Sequence, residues 1–411
     1  MENISRIETN VREKTASPDI LIISRTFLPK ADQIGEYIYN RCQQEPGRVI
    51  VLVASCSGDK TFDKIQQFPV YRWQIPKYCY DSFIGNILCS LLNIILPFFL
   101  AIKLYCRYHY RYIEWGHGYD FLALLVLSYI LPIRFFIYLH GRDIVLRNLI
   151  LRSLFELTLQ RSEGIVCNSS FTGDYLTANF RFHTPTHIIY PVVRREKFGG
   201  RLSSACIEDL RDRVRSGYHI PETAVVILSV GRLLKCKGFD LVIENLTPLL
   251  TLGIDVHYIL CGQGPYESEL KSLAERLRVG KRVHFAGYVP DRELASYYAA
   301  CDMFAILASY SERRIEGFDI VYLEAGFFGK PVIASCLGGV MDAVRHLENG
   351  ILVNPNSGLE MMQAFRWLCQ DRKLREQLGC KGKALANRRI QNQWLRMRSQ
   401  ETGDRRQEMG A

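Results

Sequence analysis

Short runs of consecutive apolar residues recur along the chain, each followed by a turn and then by a stretch of helical periodicity. Such runs read as central parallel strands covered on both faces, because a strand with one wet face would alternate instead. A first series comprises Asp19 to Ser24, Val49 to Ala54, Val70 to Gln74, Tyr112 to Trp115, Phe135 to Leu139, Gly164 to Asn168 and His187 to Tyr190. A second comprises Val225 to Val230, the runs beginning at Tyr258 and Val283, Cys301 to Leu307, and Val332 to Ala334. Strands alternating with helices predict an α/β chain with two doubly wound, Rossmann-like domains. Polar residues from Arg195 to Ser216 read as the connection between them. The expected division is therefore 1–195, a linker at 196–216, a second domain at 217–375, and a C-terminal helix with a basic tail at 376–411. That last segment is expected to pack back on the first domain.

One stretch breaks the alternation. From Ser82 to Ile102 there is no charged residue, long enough to consider a membrane span. Strands on either side belong to one predicted sheet, and a single crossing would put them on opposite sides of a bilayer. Pairing it with Phe121 to Ile137 would place Lys103, Arg107 and Arg111 outside and bury Arg134, against the positive-inside tendency. A long helix, partly core and partly surface, is the better expectation. Its end, LYCRYHYRY from Leu104 to Tyr112, mixes arginines with tyrosines as interfacial segments do. Peripheral contact with an anionic membrane and plain core packing both stay open.

Composition narrows the class. With 48% hydrophobic and 23% charged residues over 411 positions, the chain is neither disordered nor fibrous and has core enough for two or three domains. Thirteen cysteines include no C-x-x-C, which gives no support to a zinc ribbon or a dithiol site. Scattered thiols and a polar N-terminus predict a cytoplasmic protein. The net charge is +10, and 381–411 alone carries 8 basic and 3 acidic residues. Anionic partners follow: a nucleoside diphosphate or an acidic membrane face. Nucleic acid is not expected, since no recognition motif accompanies the charge.

Candidate chemistry concentrates in EGFDIVYLEAGFFGKPVIAS, Glu316 to Ser335. Gly329 and Pro331 should stop a helix, because Gly accepts a left-handed cap and Pro cannot continue the turn. Within that helix Glu324 stands among apolar side chains and must have a partner. Glu316 lies just ahead of the helix, where backbone N–H groups favour anions. Two carboxylates around such a site suggest a polyhydroxylated phosphate ester, a nucleotide sugar. One capping Glu and one salt-bridged core Glu is the alternative. Gly231 to Gly238 (GRLLKCKG), a basic loop between strand and helix, reads as a phosphate cradle, or as two solvated cations. His140-Gly141-Arg142-Asp143 sits at the carboxyl edge of a strand, where open α/β sheets bind ligands, although a helix-capping segment would look the same. His117, after the preceding strand, is a weaker companion.

The pattern E-G-F-x-(4)-E-A, then G-K-P-V-I-A-S, Gly338-Gly339 and Asn349 to Val353, resembles the C-terminal signature of group-1 glycosyltransferases, glycosyltransferase family four. These are retaining enzymes of the GT-B fold, two Rossmann-like domains facing a cleft. The resemblance implies that Glu316 holds donor-sugar hydroxyls, Glu324 the ribose, and Arg232 with Lys237 the diphosphate. It implies that Gly35, Gly317, Phe318, Gly338 and Gly339 lie along the donor and that His140 faces sugar and acceptor. The implied reaction moves a hexose from a nucleotide sugar to a saccharide or lipid-linked acceptor. It needs no metal or cofactor, since no D-x-D occurs and the two cations take that place. The chain departs from the family at Asp32-Gln33, Arg194 and Asp319. Those departures motivate a rival: a non-catalytic sugar-nucleotide-binding or scaffold subunit of a polysaccharide assembly. An epimerase or phosphorylase of the same fold is a weaker third reading.

Overall fold

A computed structural model describes residues 18–30, 32–75, 83–146, 148–200, 202–309 and 317–408. The chain divides into two units. The first holds the described residues up to Cys167 together with Leu176–His187, and the second holds Asn168–Tyr175 and the chain from Ile188 onward.

The first unit is built on β1 (Ile20–Ser24), β2 (Val49–Ala54), β3 (Val70–Trp73), β4 (Tyr112–Trp115), β5 (Arg134–Leu139), β6 (Gly164–Cys167) and β7 (Thr186–Ile188). They lie in the order β3-β2-β1-β4-β5-β6-β7, with parallel pairing from β3 to β6. Its helices are α1 (Gln33–Cys42), α2 (Asp59–Asp63), α3 (Phe83–Tyr108), α4 (Phe121–Ile130) and α5 (Leu149–Arg161), followed by α6 (Ser170–Asn179). Ile20 to Ile23 are almost fully buried, which is why β1 reads as a continuous apolar run. Asp32, where the family usually has a glycine, is the N-cap of α1: its carboxylate accepts the N–H groups of Ile34 and Gly35.

The second unit carries a six-stranded sheet in the order β10-β9-β8-β11-β12-β13, again all parallel. Its strands are β8 (Val225–Val230), β9 (Val256–Cys261), β10 (Val283–Gly287), β11 (Met303–Ile306), β12 (Val332–Ser335) and β13 (Gly350–Val353). Its helices are α7 (Ser204–Gly217), α8 (Phe239–Thr251), α9 (Glu267–Arg276), α10 (Asp291–Ala300), α11 (Val321–Phe327), α12 (Val340–Ala343), α13 (Gly358–Gln370) and α14 (Arg372–Glu408). Successive β8 residues feed opposite cores: Val226 and Leu228 pack with Phe304 and Tyr322, whereas Ile227 packs with Phe239, Leu246 and Phe365. In both sheets the first strand is central and its two neighbours are entered by crossovers of opposite direction. The loops leaving β1 and β4, and those leaving β8 and β11, therefore part and open a crevice at the strands' carboxyl ends.

The stretch expected as a linker, 196–216, is folded into the second unit. A 3-10 turn spans Arg195–Phe198, and α7 covers most of the rest and packs on α10. Its polarity belongs to a wet outer face, while Arg215 is buried with hydrogen bonds to Asp302 (2.7 Å) and the carbonyls of Ala300 and Ala224. The segment from 376 onward continues a helix begun at Arg372, and α14 packs on α11 within its own unit.

Candidate functional site

At the crevice of the second sheet, the loop after β8 runs through Gly231–Leu234 into a 3-10 turn at Lys235–Lys237 and then α8. Gly238 makes this turn feasible: its φ is 67°, and a Cβ there would stand 1.9 Å from the Leu307 carbonyl oxygen. The loop is thus pressed against the chain leaving β11, and the Ser309 N–H donates to the Cys236 carbonyl at 3.0 Å. Arg232 is exposed and makes no ion pair among the described residues. Lys237 is held otherwise. Its ammonium donates to Asp319 Oδ2 at 2.5 Å, and Asp319 is buried. The residue that departs from the family pattern is therefore the counter-ion of an expected diphosphate-binding cation.

Glu316 lies outside the described residues. Glu324 is well placed in α11 but enclosed, at 1% exposure. Oε1 accepts from Lys197 Nζ at 2.8 Å and Oε2 from the Tyr298 hydroxyl at 2.8 Å. The sequence required a partner for this carboxylate, and the chain supplies two of its own. That is the salt-bridged core arrangement, and a pentose hydroxyl would have to displace one of these bonds. Lys197 sits in the 3-10 turn that composition assigned to the linker, so no local motif pointed to it. Around the pair, Phe198 and Phe328 meet edge to face at 5.0 Å, and Tyr298 stacks on Phe328 at 5.4 Å.

Gly317, Phe318, Gly338 and Gly339 converge. A Cβ on Gly339 would lie 1.5 Å from the Gly317 carbonyl oxygen, so only glycine fits where the two loops touch. Phe318 is buried beside Tyr190 (6.2 Å between rings), and the Arg389 guanidinium covers both rings at 5.3 and 4.5 Å. Arg389 donates to the Asp342 carbonyl, and Asp342 accepts from the Ser170 N–H (2.8 Å) and hydroxyl (2.7 Å). Burial pulls the Arg389 pKa down to about 10, against the pull of Tyr190 and Asp342, so it stays charged at neutral pH. Sequence reading missed Arg389, which looked like one more charge in a basic tail.

In the first unit His140 stands at the end of β5. Its Nε2 lies 2.9 Å from the Gly116 carbonyl. A carbonyl only accepts, so the ring proton is on Nε2. Asp143 accepts the His140 N–H (2.9 Å) and the Gly118 N–H (2.8 Å), tying the loop after β5 to the loop after β4. Tyr37 meets the His140 ring edge-on at 5.5 Å. His117 is buried and accepts the Arg25 N–H on Nε2 (3.1 Å), and its Nδ1 has no hydrogen-bond partner among the described residues. Burial first, then Arg25 and His140, hold its pKa well below that of an ordinary histidine. Arg25 donates to both oxygens of buried Asp120. Gly35 is explained by contact with the turn after β1: a Cβ would stand 3.1 Å from the Phe27 backbone.

Known proteins resemble this chain in sequence and fold. Residues 211–385 match the family model described as glycosyl transferases group 1. A GDP-mannose-dependent α-(1-6)-phosphatidylinositol monomannoside mannosyltransferase of Mycobacterium tuberculosis (strain CDC 1551 / Oshkosh) is 29% identical over 247 residues, 59% of this chain and 62% of that one. Its Mycolicibacterium smegmatis counterpart is 34% identical over 148 residues, 36% of this chain and 38% of that one. The matches thus span less than two thirds of these relatives. HepE of Anabaena in complex with UDP-glucose superposes with a TM-score of 0.73 at 20% identity, over 93% of this chain and 99% of that one. Sucrose-phosphate synthase of Thermosynechococcus elongatus gives 0.75 at 19% identity, over 96% and 99%. The fold is GT-B. Residues 211–385, the segment that matches the group 1 glycosyl transferase model, hold the β8 loop, Asp319 and Glu324.

Proposed function

We propose that this protein is a retaining glycosyltransferase that moves a hexose from a nucleoside diphosphate sugar to a saccharide or lipid-linked acceptor in glycan synthesis, on the cytoplasmic side of a membrane. The observation that carries this reading is the loop after β8, which presents Arg232 and Lys237 at the carboxyl end of a central strand within the family-matching segment. A departing nucleoside diphosphate carries negative charge out of the transition state, and fixed cations there stabilise it without a metal. The UDP-glucose bound by HepE and the GDP-mannose dependence of the mycobacterial relatives support a nucleotide sugar as donor.

In this mechanism Lys237 exchanges Asp319 for the diphosphate. Glu316 and the crowded backbone of Gly317, Phe318, Gly338 and Gly339 hold the sugar, and Gly35, in the first turn of α1, also lies along the donor. Glu324 gives up one internal bond to take the ribose, and His140 lines the acceptor. The acceptor oxygen bonds to the anomeric carbon as the carbon–phosphate-oxygen bond breaks on the same face. The acceptor's proton passes to the leaving phosphate oxygen, and the anomeric configuration is kept.

The test is release of UDP or GDP from UDP-glucose and GDP-mannose in EDTA, for the wild type, Lys237→Met and Glu316→Gln. Turnover in EDTA and a loss of about a hundredfold in each variant are expected. Turnover only with added divalent metal, or unimpaired variants, would refute the roles given. The Lys237–Asp319 pair favours one second reading, a subunit that binds sugar nucleotides without turning them over. Tight nucleotide binding with no release from any donor would establish it.

A further inference from the structure

Helix α3 presents its large apolar side chains to the outside. Leu88, Leu91, Ile95 and Phe99 are 42%, 48%, 44% and 64% exposed, and their spacing puts them on one stripe about 16 Å long. The inward face mixes small and polar groups with one large apolar side chain, buried Leu104. Cys89, Pro97 and Ala101 are buried, and Asn93 accepts from the Trp73 indole at 3.1 Å. This is the reverse of a helix whose outer face meets water. Helix α4, which packs on α3, adds exposed Val126, Tyr129 and Ile130. The stripe then runs into exposed Lys103 and Arg107, with exposed Arg111 and Arg134 beyond; Arg134 is 3.8 Å from Glu163. From Phe83 to Ile113 the sequence contains no acidic residue.

We propose that this face docks on an anionic lipid bilayer, with α3 lying in the plane of the interface, its stripe among the acyl chains and its cations at the headgroups. The charge decides between occupants. A second copy of the chain would bring the same cations to the same face, whereas anionic lipid supplies the missing counter-charge. The sheet decides the orientation. β3 precedes α3 and β4 follows it, and both join β1 in one sheet, β3 through β2. A helix crossing the bilayer would separate them by about 30 Å. Nor is α3 a core helix, since only 22% of its most apolar stretch is buried. This inference does not depend on the transferase reading, because lipid binding is measured without any donor.

The test is flotation of the full-length protein with vesicles of phosphatidylcholine, alone or mixed with phosphatidylglycerol. Binding to the mixed vesicles alone is expected. Lys103→Gln with Arg107→Gln should weaken it roughly fivefold per charge removed. Leu91→Glu with Phe99→Glu should abolish it while circular dichroism stays unchanged. Should that variant misfold, Phe99→Trp provides a second readout: its emission should shift to the blue on adding mixed vesicles. Equal or absent binding to both vesicles, an unshifted Trp, resistance to alkaline extraction, or a dimer dispersed by the glutamate pair would each overturn the proposal.

Discussion

Lys237 and Asp319 show how one side chain can reset a site. Lys237, the cation proposed here for a diphosphate, is paired at 2.5 Å with a buried carboxylate, so an incoming phosphate would compete with an anion that is already in place. Asp319→Asn keeps the size and removes the charge. It should tighten UDP or GDP binding about tenfold, or ~1.4 kcal/mol, in titration calorimetry. Weaker or unaltered binding would mean that Asp319 helps the ligand instead of opposing it. Glu324 gives the complementary case. Truncating its partner in Lys197→Met strands a carboxylate in the core and should cost about 3–5 kcal/mol in urea unfolding, with much of the loss restored by adding Glu324→Gln. An unchanged midpoint in Lys197→Met would show that water reaches Glu324. The need for a partner at Glu324 was legible from its apolar neighbours. The identity of that partner was not, because Lys197 is distant in sequence and lies in a stretch whose composition reads as solvated.

Elements were legible where one cause dominates. Strands buried on both faces leave apolar runs rich in β-branched residues, and β2 and β8 have the bounds those runs predict. The stop of α11 was equally plain, with Gly329 at φ 69° as its sequence requires. Helix α7 was missed because a mostly wet helix has too few apolar positions to show its period. What the sequence could not show at all is the crossing of α11 and α14. Gly326 and Gly382 approach there, and a Cβ on Gly379 would stand 1.9 Å from the Gly329 carbonyl oxygen. Such small-residue contacts leave no hydrophobic signal. Gly379→Ala must push the helices apart, and a loss of about 1–3 kcal/mol is expected. Since α11 carries Glu324, nucleotide affinity should fall with it. A variant as stable as the wild type would mean that α14 slides freely on α11.

On the scale of the whole chain, each unit carries histidines that folding keeps neutral. In the second, His257 and His284 stack at 5.2 Å with Nδ1 of the first 2.9 Å from Nε2 of the second, an arrangement that needs one ring to accept. Burial, then His257 and Arg282, lower the His284 pKa to about 4. His117 in the first unit is lowered for like reasons. Well above pH 6.5, by about pH 7.5, these groups are neutral folded or unfolded and add no pH dependence. As pH falls from there toward 4, the unfolded chain takes up protons that native His284 refuses, so stability declines over that window and the slope ends near the native pKa. Acidification also raises a net charge that is already +10, and the two effects must be separated. His284→Gln does so, since at neutral pH it leaves the charge unaltered. Urea unfolding at pH 7.5 and pH 5 should show the second unit's transition shifting less in this variant than in the wild type. The first unit's transition should keep its own shift, which His117→Asn would reduce. An identical shift in wild type and His284→Gln would assign the acid sensitivity to overall charge repulsion and not to the stacked pair.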